Sequence, residues 1–260
     1  ASVVAMMSSF GPVVALDNLG STLQNTFAAG NRVLDILEEK PVVEEVSGKQ
    51  NIEFNGASSE NVTFAYGDET ILDNVSVDIP KNSVIGIAGR SGSGKSTLLK
   101  VIAKILDIDS GQITYGLPSI DGIMYVSQNT NLFNRSIYEN IIYPMDDANL
   151  EEVYELINIF GLNSLITSEN DLFQKKPGDF GNKFSGGEKQ KILIIRTLIN
   201  RPHIILFDEI TSSLDSNSTK VFYEMLNTRL SSSTVLFVSH DDVVDSAFDR
   251  VLEIDELHAL

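Results

Sequence analysis

Apolar residues recur at helical spacing before Pro41, which ends this pattern. They fall at steps of three and four positions or their sums, at Leu16, Leu19, Leu23, Phe27, Leu34 and Leu37. The period predicts a helix from about Val3 to Glu39, roughly 55 Å long at about 1.5 Å per residue. Since that length exceeds a small globular domain, two interpretations stay open. The helix either packs on the body of the protein or forms the cytoplasmic end of a transmembrane helix, with a polar linker at 38–50.

The rest of the chain alternates between short β-type runs and helices. Apolar runs at 83–89, 203–209 and 234–240 are candidate strands, and 95–106 has helical spacing. Alternation of this kind predicts an α/β fold with a parallel sheet, whose ligands bind at the carboxyl ends of the strands. Residues 146–180 are mostly helical in pattern, which predicts an inserted helical subdomain.

Composition narrows the class of protein. Of the 260 residues, 42% are hydrophobic and 21% are charged, so the chain is able to build a core. The formal net charge of −17 repels phosphate backbones and disfavours nucleic acid as a partner. The sequence has no cysteine, which excludes disulfides, thiolate zinc sites and thiol catalysis and fits a cytoplasmic domain.

Residues 89–96 match the phosphate-binding pattern Gly-x4-Gly-Lys-Ser in full, after an apolar run and before a helix. In such a P-loop, backbone amides and the helix N-terminus contact the phosphates. Lys95 then neutralises the β and γ phosphates, and the Ser96 hydroxyl ligates Mg²⁺. The strand–helix context disfavours the alternative of a flexible Gly/Ser turn. The dinucleotide fingerprint fails, because it needs a third glycine at Thr97.

Polar residues at the ends of the other runs are candidates for the chemistry. Asp208 and Glu209 lie at the end of one run. We expect Asp208 to contact Mg²⁺ through water and Glu209 to orient or deprotonate the attacking water. A solvated strand end or a helix cap is the alternative for this pair. His240 ends the next run near the expected γ-phosphate, although a lone histidine is more often structural. From spacing alone, a role for the Gln128 amide at Mg²⁺ or the lytic water stays open.

A second glycine-rich loop, NKFSGGEKQ at 182–190, lies about 90 residues after the first. With it, the motifs in order resemble the nucleotide-binding domain of ABC ATPases, from about residue 50 to the end. They are the P-loop, Gln128, Ser185-Gly186-Gly187-Glu188, Asp208-Glu209, Ser213-Leu214-Asp215 and His240. LFNRSIYENI after Gln128, and PGDFG before the second loop, resemble ABC exporters in particular.

The resemblance implies a fold and a division into domains. It implies a P-loop NTPase core with a mostly parallel sheet, an antiparallel β subdomain and a helical subdomain at about 129–185. Residues 1–45 would be the cytoplasmic end of a transmembrane helix plus linker, and 46–260 the ATP-binding domain.

The resemblance also implies the site residues. ATP would contact Gly89, Arg90, Ser91, Gly92, Ser93, Gly94, Lys95, Ser96 and Thr97. Tyr66 would stack on adenine, the alternative being a hairpin core residue paired with Phe64. Mg²⁺ would lie at Ser96, Gln128 and Asp208, and catalysis would involve Glu209, His240, Lys95 and Gln128.

In the family two such domains dock head to tail, which gives the second loop a function. Residues 185–188, the signature loop, would cap ATP bound by the P-loop of a partner domain, and 213–215, the D-loop, would lie at the dimer interface. The implied protein is a Mg²⁺-dependent ATPase that powers an ABC exporter at the cytoplasmic face of the cell membrane. Its partners would be a second ATP-binding domain, as homo- or heterodimer, and a transmembrane domain on the same parent chain.

Departures from the family pattern are few. Phe184 replaces the usual Leu, Glu188 replaces the commoner Gln, and Ile210 replaces Pro after Asp208-Glu209. Only sixteen residues separate Gly111 from Gln128, so we expect a trimmed strand or helix there.

A soluble, non-transport ABC ATPase is the alternative function. A DNA-repair type would need a long coiled coil between the two loops, for which about 90 residues leave no room. A translation type would normally carry a second ATPase domain. The apolar stretch at 2–16 favours the exporter, because neither rival needs a membrane-helix stub.

Overall fold

The computed structural model describes residues 10–39, 55–116, 122–238 and 247–257. The chain divides into two compact units, 1–44 and 45–260. The first unit contains helix α1, Phe10–Glu38, whose apolar side chains at Leu19, Leu23, Phe27, Val33, Leu34, Ile36 and Leu37 are exposed. The predicted start at Val3 and most of the predicted linker lie outside the described residues. None of the described helices combines the length and apolar character needed to cross a membrane.

The second unit is built around a five-stranded parallel sheet in the order β5-β6-β7-β3-β8. Its strands are β3 (Val84–Ala88), β5 (Ile123–Ser127), β6 (Ile204–Asp208), β7 (Thr234–Val238) and β8 (Arg250–Glu253). Every residue of β6 and β7 is buried, as expected for strands covered on both faces. The three predicted apolar runs are therefore central strands of this sheet.

A smaller antiparallel sheet has the order β2-β1-β4, with strands at Ala57–Tyr66 (β1), Glu69–Ile79 (β2) and Ser110–Tyr115 (β4). The short segment after Gly111 supplies β4 and β5. Strand β5 pairs with β6 in unbroken parallel register from Ile123 to Ser127. The shortened segment therefore leaves the strand that leads into Gln128 regular.

The described helices of the second unit range from 4 to 15 residues. They are α2 (Lys95–Ile102), α3 (Ile137–Ile142), α4 (Leu150–Ile159), α5 (Glu169–Gln174), α6 (Gly186–Asn200), α7 (Ser216–Thr228) and α8 (Ile254–Leu257), with 3₁₀ turns at Leu162–Ser164 and Asp179–Gly181. The prediction of a helix through residue 106 is wrong at its end. Helix α2 stops at Ile102, because Lys104 adopts a left-handed backbone with φ of +56° and the chain turns there.

Two cores lie on opposite faces of the parallel sheet, and the period of two along β6 assigns its side chains to them. Ile205 and Phe207 join the core that includes the helical insert. Ile204 and Leu206 join the core that contains α2 and the small sheet. Asp208 follows on the same side as Leu206, so the strand end points a carboxylate toward the start of α2. The predicted α/β fold with its antiparallel and helical subdomains is confirmed.

Candidate nucleotide-binding site

The P-loop joins the end of β3 to the start of α2. Gly94, at the N-cap of α2, has a φ of +94°, and a Cβ built there would lie 3.1 Å from Ile71 Cγ2. Only glycine adopts that backbone without strain. Lys95 is 5% exposed, and its Nζ donates hydrogen bonds to the carbonyls of Gly89 at 2.8 Å and Arg90 at 2.7 Å. The lysine thus holds the loop in a closed curve around the start of the helix.

A cleft opens at this helix start, which we call the P-loop cleft. It is lined by Ile71, Ser91, Gly92, Gly94, Lys95, Ser96, Thr97 and Glu209. The N-terminus of α2 places partial positive charge there, and the Lys95 ammonium adds a full one, so the cleft suits an anion. Arg90 lies apart from it, because its side chain is 89% exposed and pairs with Asp255 at 3.7 Å. The Ser93 hydroxyl is buried next to the loop backbone.

Asp208 anchors the side of the cleft that would hold a metal. It is 7% exposed, and its two carboxylate oxygens accept different hydroxyls. Ser96 Oγ donates to Oδ1 at 2.8 Å, and the Tyr125 hydroxyl donates to Oδ2 at 2.8 Å. Burial, together with the hydrogen bond to Asp208, raises the pKa of Tyr125 well above its ordinary value. A hydroxyl and a carboxylate are hard oxygen donors of the kind that Mg²⁺ takes, so Ser96 and Asp208 fit that ion.

Glu209 enters the cleft through an unusual backbone. Its φ is +55°, in the left-handed region that a non-glycine residue adopts rarely and at a cost of order 1 kcal/mol. The Glu209 amide donates to the Val238 carbonyl at 3.0 Å, which fixes this turn directly after β6. Glu209 then lines the cleft together with Lys95 and Ser96. Strain of this kind is often found at functional sites.

The signature loop forms the N-terminus of α6. Ser185 is the N-cap residue, and it makes a reciprocal capping box with Glu188. The Glu188 amide donates to Ser185 Oγ at 3.2 Å, while the Ser185 amide and hydroxyl donate to Glu188 Oε2 at 2.7 Å and 2.8 Å. Glu188, which departs from the usual family residue, therefore completes the cap of this helix.

The D-loop packs directly against the signature glycines. A Cβ built on Gly187 would lie 2.8 Å from the Ser213 carbonyl oxygen, too close for any side chain, whereas one on Gly186 meets Ser213 at 3.4 Å and 3.5 Å. Gln190, which is 2% exposed, accepts from the Ser213 amide at 3.0 Å and donates to Ser212 Oγ at 3.3 Å. These contacts hold the signature loop and the D-loop together as one unit.

Asp215 ends the D-loop and caps α7, where its side chain accepts the Ser218 amide at 2.9 Å. It also pairs with Lys191 of α6 at 2.8 Å. The Lys191 contact and the bonds from Ser218 hold the pKa of Asp215 well below its usual range. Leu214 packs against the core beside them.

A second cleft, which we call the signature cleft, is lined by Gln128, Asn129, Thr130, Asn131, Gly186, Lys189, Gln190, Leu193 and Ser213. In the part of the chain that the structure describes, it shares no lining residue with the P-loop cleft. Gln128 lines the signature cleft, and its side chain is exposed. Its backbone N–H donates to the Asp208 carbonyl at 3.0 Å. Its predicted contact with Mg²⁺ stays a prediction.

Two further site residues were predicted, Tyr66 and His240. Tyr66 ends β1 and contacts Phe64 edge to face, with ring centroids 4.8 Å apart, yet it remains 49% exposed. The ring therefore packs on the hairpin without being buried in its core, and its stacking on adenine stays a prediction. His240 lies outside the described residues.

Tyr125 and Gln190 also contact the site, although neither was predicted from the sequence. Gln190 is the fifth residue of α6, one turn after Gly186, and this helical spacing was the available signal. Tyr125 carried no comparable signal, because its contact depends on the parallel pairing of β5 with β6.

A P-loop between a parallel strand and a helix, with an Asp-Glu pair at the end of another strand of the same sheet, defines a nucleotide-binding domain of the P-loop class. The family model described as ABC transporter matches residues 72–212, more than half of the 260-residue chain. The chain therefore belongs to the ABC transporter family and is an ATPase domain of that family, as the motif order predicted.

Relatives of known name support the same family. The chain is 40% identical to a probable ABC transporter ATP-binding/permease protein of Haemophilus influenzae, over 97% of this chain and 48% of the relative. It is 31% identical to an ATP-dependent lipid A-core flippase of Desulfotalea psychrophila, over 92% of this chain and 44% of the relative. The chain spans about half the length of these curated relatives.

A solved structure of a bacterial Atm1-family ABC exporter with ATP bound is also similar. It matches with a TM-score of 0.77 and 26% identity, over 90% of this chain and 43% of that chain. The likeness extends over the ATPase fold described above.

Proposed function

We propose that this chain binds and hydrolyses MgATP as one half of a head-to-tail dimer that powers an ABC exporter. The observation that carries the dimer is the separation of the two glycine loops. The P-loop and the signature loop belong to different clefts, so the signature of one chain is free to cap a nucleotide held by another.

Three of the residues proposed for the reaction, Lys95, Ser96 and Glu209, line the P-loop cleft. Lys95 and the loop amides would bind the β and γ phosphates, and Ser96 with Asp208 would hold Mg²⁺. The metal would supply charge neutralisation as the γ-phosphate leaves. Glu209, which reaches the same cleft on its strained backbone, would orient or deprotonate the attacking water. Tyr66 would stack on adenine, and His240 would contact the γ-phosphate, as the family resemblance implies.

ATP would be part of the dimer interface. A ligand that binds the closed pair better than the open one shifts the population toward the closed pair, and hydrolysis removes that shift. The rigid unit of signature loop and D-loop supports this role, since Gln190 and Gly187 fix the two segments relative to each other. Coupled to membrane domains, this cycle would drive alternating access.

The exporter assignment is supported by the relatives named above, which are about twice as long as this chain and include an ATP-binding/permease protein. The parent protein would carry its membrane domain on the same chain and place this domain at the cytoplasmic face of the membrane. The alternative, a soluble ABC ATPase, would use the same dimer without that coupling.

Light scattering coupled to size exclusion tests the proposal. Glu209→Gln with ATP and Mg²⁺ should elute as a dimer and without nucleotide as a monomer. Adding Lys95→Ala to this variant should keep it monomeric. Raised salt should favour pairing, because it screens repulsion between chains of net charge −17. A dimer fraction that is the same with and without ATP would mean that the nucleotide is not part of the interface.

A further inference from the structure

Tyr125 reaches the metal side of the P-loop cleft from the edge strand of the parallel sheet. Strand β5 pairs with β6 so that Tyr125 lies beside Leu206 and Ser127 lies beside Asp208. Residues paired in a sheet point to the same face, and the side-chain period is two, so Tyr125 and Asp208 share a face. Two residues along a strand span about 6.6 Å, which a tyrosine side chain is long enough to bridge.

The two hydroxyls together fix the plane of the Asp208 carboxylate. The terminal torsion of an aspartate is broad, so a single hydrogen bond leaves the carboxylate free to rotate about it. Ser96 occupies Oδ1 and Tyr125 occupies Oδ2, both at 2.8 Å. With both oxygens held, the carboxylate has one orientation relative to the start of α2.

Such orientation matters for magnesium. Mg²⁺ demands near-ideal octahedral geometry, so a rotated carboxylate would misplace the ligand or bound water that it holds. Residues that orient metal-binding side chains typically change metal affinity by about 10- to 100-fold when removed. The phenol is neutral and adds no charge to the cleft, so its effect passes through the geometry of Asp208 alone.

We propose that Tyr125 is a positioning residue for the magnesium site, holding Asp208 Oδ2 while Ser96 holds Oδ1. This inference rests on the proposed function, because it takes Asp208 to act at Mg²⁺. It adds a residue from β5 to a site otherwise built from the P-loop and β6.

Tyr125→Phe removes the hydroxyl and keeps the ring in the core. Tyr115→Phe is the matched control, because its partly buried hydroxyl donates to the Ile102 carbonyl at 2.7 Å, at the opposite end of α2 from Ser96. Both changes are made in the Glu209→Gln chain, so that nucleotide is bound without turnover. Equilibrium dialysis with labelled ATP then gives the affinity in Mn²⁺, which takes the same oxygen ligands as Mg²⁺, and in EDTA.

Tyr125→Phe should weaken ATP binding about tenfold in Mn²⁺ and leave it unchanged in EDTA. Tyr115→Phe should match the parent in both. Equal affinity of Tyr125→Phe and parent in Mn²⁺ would overturn the inference, as would an equal loss with and without metal, which would indicate a purely structural role. If the parent chain bound ATP equally well in Mn²⁺ and in EDTA, the proposed magnesium site would be contradicted, and the inference with it.

Discussion

The P-loop and the signature loop are both glycine-rich turns that start a helix, but they differ in the side chains that surround them. Lys95, the Ser96 hydroxyl and the acidic residues Asp208 and Glu209 lie at the P-loop. The signature loop has its serine in a capping box and its glycines against the Ser213 backbone. These groups suit the first loop to the proposed binding of a triphosphate with Mg²⁺. The second presents a helix N-terminus in a fixed position, which suits the capping of a phosphate that is already bound, while the Ser185 hydroxyl donates to Glu188.

Removal of the proposed base should have the largest effect, because it acts on the chemical step. Glu209→Gln keeps the shape of the side chain and should lower ATP turnover by about 10²- to 10⁴-fold with little change in ATP affinity. Glu224→Gln, which removes an exposed carboxylate from α7, is the control and should hydrolyse ATP like the parent. Phosphate release measures both. Parental turnover in Glu209→Gln would mean that the base lies elsewhere.

Loss of the P-loop lysine should act on binding. Lys95→Ala removes the ammonium and the two hydrogen bonds that close the loop, so ATP affinity should fall about 10- to 100-fold. Lys100→Ala changes a lysine in the last turn of the same helix and should leave affinity within about twofold of the parent. Isothermal titration calorimetry distinguishes them. A similar loss of ATP affinity in both variants would mean that the effect comes from net charge and not from the position of Lys95.

The two signature glycines should differ in the stability of the folded chain. Gly187→Ala places a Cβ 2.8 Å from the Ser213 oxygen and should lower the free energy of unfolding by about 1–3 kcal/mol. Gly186→Ala has room beside Ser213, and the better helix propensity of alanine should raise it by up to about 1 kcal/mol. Urea denaturation gives both values. Equal stability of the two variants would refute the tight contact between signature loop and D-loop.

The parts of the site that follow one another along the chain were predictable. The P-loop needs only its local sequence, and Asp208 and Glu209 follow from the end of an apolar run. Contacts made across the sheet were not, as Tyr125 illustrates, because they depend on the strand order β5-β6. The early end of α2 depends on the positive φ of Lys104, which a lysine does not signal.

Arg196 of α6 shows the same limit, because its partners lie in the helical insert. It is 7% exposed, and its guanidinium donates to the Asn140 carbonyl at 2.6 Å and to Asn140 Oδ1 at 3.1 Å. The cation lies 5.6 Å from the Phe133 ring centroid and 5.8 Å from that of Tyr143. Burial lowers the pKa of Arg196 to about 10. An arginine within the apolar run KILIIRTLI gave no sign of partners more than fifty positions earlier in the chain.

We expect the signature loop to act on a nucleotide held by another chain, and nucleotide trapping in mixed dimers distinguishes this from action within the same chain. Both chains carry Glu209→Gln. One adds Lys95→Ala, which disables its P-loop. The other adds Gly186→Asp, where the structure has room for the Cβ, so the lesion is a carboxylate placed against phosphate and not a steric clash.

If the signature acts across the interface, a mixed dimer collects both lesions in one site and leaves the other site intact. Neither variant alone should trap ATP, and the mixture should trap about one ATP per mixed dimer. If the signature acted within its own chain, every site would keep one lesion. Trapped nucleotide near zero in the mixture would then rule out action across the interface.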